Sequence, residues 1–220
     1  MTRKKLKSSQ LRTLACTIAA LSLIYWFAHQ RGILPFVYLL PPITCPADAT
    51  LHTPPQTFLN ANQSILDILP KNFDRSKTSI LIEKSNHRLT LYYDQKPIKS
   101  YSVVFGDPQG DKRREGDRKT PEGILRIQDK YPHPDWSKFL WLDYPNAQSQ
   151  CKHQRSKQRG EIPAFSAIGG EVGIHGVPIG QDALIETRTN WTLGCPALKN
   201  KDIDEIYNIV QVGAIVEILP

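Results

Sequence analysis

Three short runs of alternating apolar and polar residues, joined by tight turns, constrain the fold of this chain most strongly. They cover residues 79–84, 88–93 and 98–105, and the turns between them contain Asn86 and Pro97. Alternation with a period of two puts the apolar side chains on one face of a strand, and turn residues reverse the chain between strands. We therefore predict an antiparallel meander within a mainly β fold that has short helices.

Shorter patterns predict the rest of the domain. Strands are expected at 123–127, 172–175 and 214–219. A helix is expected at 200–210, where acidic residues in the first turns suit the helix dipole. Between residues 130 and 163 we expect a largely irregular insertion with one short helix.

The N-terminal segment has the composition of an export signal. Residues 1–12 contain five Lys and Arg and no acidic residue, and residues 14–28 contain no charged residue. We predict that residues 1–32 form a cytoplasmic basic tip with a signal peptide or signal-anchor helix, which holds the chain in the inner membrane through residues 13–28. The rest of the chain would then be exported to the periplasm or cell envelope.

A linker and a folded domain are expected after this segment. Residues 33–77 include five prolines between positions 41 and 55, and proline at this density keeps a chain extended. Residues 78–220 are then predicted to form a single domain.

Charge and cysteine content narrow the possible functions. The formal net charge of +7 falls to +2 once residues 1–12 are set aside, so no nucleic-acid partner is expected. The spacing of the four cysteines matches neither a disulfide framework nor a zinc site, so no metal is expected. Cys45 and Cys151 are compatible with either a disulfide in an oxidising compartment or two free thiols.

Cys195 and His175 are the residues that most strongly indicate chemistry. His175 ends an apolar strand, and Cys195 follows Gly194 in a tight loop ahead of the predicted helix. A thiol with an ordinary pKa of about 8.5 is mostly protonated at neutral pH, and a nearby imidazole can take its proton. Glycine lets backbone N–H groups approach a developing oxyanion. We predict that Cys195 is a nucleophile and His175 its base.

Further motifs give the chain a resemblance to a known family. His175-Gly176 is followed by Thr192-Leu193-Gly194-Cys195, with sixteen residues between His175 and Thr192, and residues 116–123 read Gly-Asp-Arg-Lys-Thr-Pro-Glu-Gly. With the strands that open at Thr78, these segments resemble the L,D-transpeptidase catalytic domain, the YkuD-like fold, over about residues 78–219. The resemblance implies a single catalytic domain of β-sandwich or barrel type.

The resemblance also implies a cysteine acyltransferase that acts on peptidoglycan stem peptides in cell-wall biogenesis and needs no cofactor. Cys195 would attack the third residue of a stem peptide and pass the resulting acyl group to an amine. The backbone N–H groups of Gly194 and Cys195 would bind the oxyanion. Three further residues are expected to contact the substrate: Gly176, Trp191 and Thr192.

Two departures from the family pattern leave alternatives open. Leu193 stands where the family often has His, and Pro196-Ala197 stands where it often has Ile or Val followed by Arg or Asn. The segment around Cys195 looks more like a subgroup that includes hydrolases of cross-links or wall-bound lipoprotein. A hydrolase that uses the same pair and a non-catalytic wall-binding module are therefore alternatives, with a wall-linked lipoprotein as a further partner.

Several other side chains are assigned to structure rather than to function. The aromatic residues between positions 130 and 163 are expected to pack in the core more than to cover a cleft. Arg118 is expected in a solvated loop, although it could meet a substrate carboxylate. His133 and His153 are expected at the surface.

Replacement of Cys195 by alanine should abolish turnover of peptidoglycan substrates, because the sulfur carries the covalent step. The free energy of unfolding should change by less than about 1 kcal/mol. Release of peptide products and chemical unfolding, measured for wild type and Cys195→Ala, test this. A variant that retains turnover would rule out Cys195 as the nucleophile.

Overall fold

The computed structural model describes residues 8–30, 41–46, 49–106 and 109–220, in two compact units. The first unit ends at Ile43 and contains helix α1, Ser8–Gln30. Within the described ranges, no helix has both the length and the apolar character needed to cross a membrane. The membrane anchor predicted at residues 13–28 therefore gains no support. Residues 1–7 and 31–40 of the predicted signal and linker lie outside the described residues.

The second unit, Thr44–Pro220, is built on one seven-stranded sheet with the order β3-β2-β1-β7-β4-β5-β6. The strands are β1 (Thr78–Glu83), β2 (Arg88–Tyr93), β3 (Lys96–Ser102), β4 (Gly123–His133), β5 (Ser137–Leu142), β6 (Gly173–His175) and β7 (Ile215–Leu219). Its helices are short: α2 (Ile65–Ile68), α3 (Ala147–Gln158), α4 (Ala183–Glu186) and α5 (Asn200–Ile209). The predicted mainly β class with short helices is confirmed.

The first three strands form the predicted meander, because β1 pairs with β2 and β2 with β3, both antiparallel. The last strand, β7, then enters the sheet between β1 and β4, parallel to β1 and antiparallel to β4. Beneath the sheet, α5 buries Ile203, Ile206 and Ile209, whose spacing puts them on one helical face. This helix packs against β5 and β6, and β6 is the strand that carries His175.

The region between residues 130 and 163 is more regular than predicted. Strand β4 continues to His133 because its first half pairs with β7 and its second half with β5. Helix α3 follows, and its buried face consists of Lys152, His153 and Ser156. Helix α3 is the one short helix expected in this region, but its bounds were not predicted because a helix that buries polar side chains has no apolar stripe.

The compact unit begins at Thr44 rather than at residue 78, so much of the predicted linker lies against the sheet. Glu217 on β7 is buried, and its carboxylate accepts hydrogen bonds from the backbone N–H groups of Leu51 and His52. His52 Nδ1 also lies 2.7 Å from the same carboxylate. A proline-rich segment has few N–H groups to pair, and here the buried carboxylate of Glu217 accepts from two of them, those of Leu51 and His52.

A disulfide joins Cys45 to Cys151 and so ties this N-terminal segment to α3. The sequence left this pairing open. The bond closes a loop over a sequence separation of 106 residues, which restricts the unfolded chain.

Replacement of both Cys45 and Cys151 by serine should lower the free energy of unfolding by about 2–4 kcal/mol, because the long loop is no longer closed in the unfolded state. Urea unfolding under non-reducing conditions measures this. Cys16→Ser is the matched control, since Cys16 is an exposed free thiol in the first unit and should leave stability unchanged. Equal stability of all three proteins would contradict the prediction.

Candidate active site

The backbone around β6 brings His175 and Cys195 together although twenty positions separate them in the sequence. The His175 N–H donates to the carbonyl of Pro196, and the Leu198 N–H donates to the carbonyl of His175. Ala197 thereby forms a parallel bridge with His175 and an antiparallel bridge with Val104. The segment after Cys195 is therefore held between β6 and the backbone at Val104, and Cys195 lies directly before this bridged segment.

The thiol of Cys195 faces the backbone that enters β6. Its Sγ lies 3.5 Å from the nitrogen of Gly173 and 3.7 Å from the carbonyl oxygen of Glu171. Gly173 and His175 lie two residues apart on β6, so the thiol lies beside the strand that carries the imidazole. A side chain at position 173 would collide with the ring of Phe139, which explains the glycine.

The orientation of the His175 ring is fixed by its neighbour. Nδ1 lies 2.6 Å from the carbonyl oxygen of Gly176, and because a carbonyl only accepts, Nδ1 carries the proton. This leaves Nε2 as the nitrogen that can accept a proton. Gly176 is itself buried, its N–H donates to the carbonyl of Trp136, and it does not line the groove described below. Gly176 thus orients the base through its carbonyl, and its predicted contact with substrate stays a prediction.

Burial sets the resting protonation of the pair. It lowers the pKa of His175 to about 4, against a smaller opposing effect of the Gly176 carbonyl. Burial also raises the pKa of Cys195, which the Gly173 N–H and the charge of Lys112 offset only in part. At neutral pH the site therefore holds a thiol beside a neutral imidazole.

Thr192 holds the loop that carries Cys195. Its hydroxyl donates to the carbonyl of Cys195 at 2.7 Å and accepts from the Gly194 N–H at 3.2 Å, and the side chain is buried. Gly194 has φ +133, and a side chain there would meet the carbonyl of Lys119 at 2.6 Å. The Gly194 N–H is thus directed at Thr192 in this conformation, so Cys195 N–H is the donor better placed for an oxyanion.

A groove of about 1240 Å³ opens over the thiol, with both His175 and Cys195 in its lining. Aromatic rings surround the imidazole. Trp136 stacks on it with a centroid distance of 4.4 Å, and Trp191 meets it edge-on at 5.8 Å. Trp191 and Thr192 both line the groove, as expected of substrate contacts.

Several groove residues were assigned elsewhere from the sequence. Tyr131, Trp136 and Trp141 line the groove, and His133 stacks on Trp136 at 4.3 Å instead of lying alone at the surface. His153 is buried, with Nδ1 2.6 Å from the carbonyl of Arg113. The sequence does contain a pattern that predicts this cluster. Rings alternate at positions 131 and 133 and again at 139 and 141, so each pair lies on one face of its strand.

The groove also carries charge of both signs. Lys112 and Arg118 line it with Glu115 and Glu171. Lys112 Nζ is paired with Asp117 at 3.0 Å. Among the residues that the structure describes, no group of three or more His, Cys, Asp or Glu is arranged to hold a metal ion.

Comparison with known proteins identifies a family and several proteins that this chain resembles. The family model described as the L,D-transpeptidase catalytic domain, YkuD, matches residues 77–218. The protein named Putative L,D-transpeptidase YafK from Escherichia coli K12 is 28% identical over 148 residues, which cover 64% of this chain and 50% of YafK. The chain spans about half the length of the curated relatives it matches.

Two solved structures also resemble the chain. The helical cell shape determining protein Pgp2 (K307A mutant) from Campylobacter jejuni is 26% identical with a TM-score of 0.48, covering 66% of this chain and 48% of Pgp2. An L,D-transpeptidase from Mycobacterium smegmatis is 14% identical with a TM-score of 0.44, covering 66% of this chain and 59% of that one.

The neutral resting pair predicts how Cys195 reacts with iodoacetamide. The rate should rise with pH through and beyond the ordinary thiol range, about pH 8.5, because burial raises the pKa of the thiol. The rate is measured on the Cys16→Ser protein by quenching the alkylation at fixed times and counting the added groups by mass spectrometry. Only Cys195 then reacts, since Cys45 and Cys151 form a disulfide. A midpoint well below pH 7 would instead indicate a thiolate–imidazolium pair.

Proposed function

Since the chain belongs to the L,D-transpeptidase catalytic domain family, YkuD, we propose that it is a peptidoglycan L,D-transpeptidase of the cell envelope. The family consists of cysteine-based enzymes that modify peptidoglycan and act on its stem peptides. The observation that carries the proposal is the convergence of a half-buried thiol and a neutral, oriented imidazole in one open groove.

The first half-reaction forms a thioester. His175 Nε2 takes the thiol proton as Cys195 Sγ attacks the carbonyl carbon of the third residue of a stem peptide. The Cys195 N–H donates to the resulting oxyanion, joined by the Gly194 N–H once Thr192 releases it. The C–N bond then breaks, His175 returns the proton to the leaving nitrogen, and the terminal D-residue departs as an amine.

The second half-reaction transfers the acyl group. An amine from another stem peptide attacks the thioester carbon, and His175 takes the proton that the amine loses. The C–S bond breaks and the thiol is restored, so the acceptor is joined by a new amide bond. The low pKa of His175 keeps the imidazole unprotonated at neutral pH and available for both steps.

Hydrolysis is the second candidate, and the surroundings of Pro196 and Ala197 favour it. Both residues are buried in the backbone bridges behind the nucleophile and offer no charged side chain to a peptide acceptor. Water in the open groove could then take the acyl group from Cys195, either from a stem peptide or from a wall-linked lipoprotein. The thioester and the Cys195–His175 pair are common to both reactions.

Location outside the cytoplasm is part of the proposal. The Cys45–Cys151 disulfide supports it, because such bonds persist in oxidising compartments. The basic and then apolar N-terminal segment supports export as well. Attachment of residues 13–28 to the inner membrane remains a prediction from composition.

Purified peptidoglycan monomers and dimers, incubated with the full chain and resolved by mass spectrometry, test the proposal. A transpeptidase yields new cross-linked dimers, whereas a hydrolase yields only shorter peptides. His175→Ala should retain slow turnover only at high pH, where the thiolate forms without a base. A folded wild-type protein that leaves all these substrates unchanged and forms no carbapenem adduct at Cys195 would favour the non-catalytic module.

A further inference from the structure

Arg118, which the sequence assigned to a solvated loop with a substrate carboxylate as the alternative partner, lies beside the nucleophile loop. Its side chain is exposed and lines the groove that contains Cys195. Its backbone packs directly on the nucleophile loop, because a side chain at Gly106 would collide with both the Arg118 carbonyl and the Thr192 carbonyl. The base of this arginine is therefore anchored within contact distance of the loop that presents the thiol.

The loop that carries Arg118 is built as a rigid support. The carboxylate of Asp117 accepts hydrogen bonds from the backbone N–H groups of Arg113 and Arg114 on one oxygen and of Lys119 on the other. Arg118 itself has φ +58, a left-handed conformation that a residue with a Cβ rarely adopts. Such a conformation persists only where the surrounding contacts enforce it, so the fold sets the direction in which the Cα–Cβ bond of Arg118 leaves the backbone.

Of the two basic residues Lys112 and Arg118, which line the groove, it is Arg118 whose charge is available to bind a ligand. Lys112 is buried and its Nζ is bound by Asp117 and by the carbonyl of Arg114. Within the described ranges, no acidic side chain lies within 4.0 Å of the Arg118 guanidinium. Glu115 and Glu171 line the same groove, so its charge is mixed and the positive site is local.

The two residues that follow Cys195 supply no charge to the groove. Pro196 and Ala197 are apolar and buried in the bridges to β6 and Val104. A stem peptide with a free C-terminus carries a carboxylate at the leaving residue, and a diamino acid at the third position can carry another. A guanidinium binds a carboxylate with two parallel hydrogen bonds in a fixed geometry.

We infer that Arg118 binds a carboxylate of the stem peptide and thereby determines which peptides Cys195 attacks. This inference rests on the proposed function and deepens it. The carboxylate has two sources, the C-terminus of the leaving residue and the side chain of the third residue. Arg118 positions the substrate and takes no part in proton transfer.

Arg118→Met tests the inference, since methionine removes the charge but keeps a Cβ at the same strained backbone position. The matched control is Arg114→Met, which removes an exposed arginine from the same loop outside the groove lining. The substrates are a tetrapeptide that contains diaminopimelate and ends in D-alanine, the same peptide with a C-terminal amide, and its lysine analogue. Release of the terminal residue, measured by mass spectrometry, gives kcat/KM for each pair.

On the first peptide, Arg118→Met should lower kcat/KM by about 10- to 100-fold, the effect of losing a charge-assisted hydrogen-bond pair. Arg114→Met should match wild type within about twofold. The peptide that lacks the bound carboxylate should be poor for wild type and should lose nothing further in Arg118→Met. If Arg118→Met loses nothing further on the peptide amide, Arg118 binds the C-terminal carboxylate. If it loses nothing further on the lysine analogue, Arg118 binds the side-chain carboxylate of the third residue.

Unchanged kcat/KM in Arg118→Met, or an equal loss on all three peptides, would overturn the inference. If wild type releases nothing from any peptide, the proposed function fails instead. In that case, calorimetric binding of the same peptides to Cys195→Ala and to Cys195→Ala/Arg118→Met decides the inference separately. Equal affinities of these two proteins for the first peptide would then refute it.

Discussion

The backbone hydrogen bonds between β6 and the segment after Cys195 are the interaction on which the site depends. They pair His175 with Pro196 and Leu198, and Ala197 is bridged to both His175 and Val104. Backbone bonds of this kind fix positions without any side chain, so the thiol and the imidazole meet through the fold itself. Helix α5 packs against β5 and β6, which holds the same strand from the other side.

Burial then gives the paired groups their chemical character. The imidazole lies among Trp136, Phe139 and Trp191, and the loss of water disfavours its charged form. The same loss of water disfavours the thiolate of Cys195. A neutral pair follows at neutral pH, so in the proposed mechanism proton transfer to Nε2 accompanies the attack by sulfur. The Gly176 carbonyl ensures that Nε2 is the nitrogen available for this step.

Two parts of the chain outside the meander support this arrangement. The segment that contains Cys45 and His52 lies on the sheet because the buried carboxylate of Glu217 binds the backbone N–H groups of Leu51 and His52. The disulfide of Cys45 ties the same segment to α3. Helix α3 in turn contacts the groove loop, since His153 bonds to the carbonyl of Arg113 and Lys152 pairs with Asp111. The loop that carries Lys112 and Arg118 is thus braced by polar contacts with α3.

The sequence by itself determined the meander, α5, the last strand and the choice of Cys195 and His175 as the proposed nucleophile and base. These depend on local periodicity, on turn residues and on a motif in which each residue type has a chemical role. Only the tertiary structure showed the contact of the Gly176 carbonyl with His175, the place of Arg118 in the groove lining, the strand β5, and the inclusion of residues 44–77 in the compact unit. Each of these depends on contacts between segments far apart in the chain or on polar groups that become buried, and local periodicity carries no record of either.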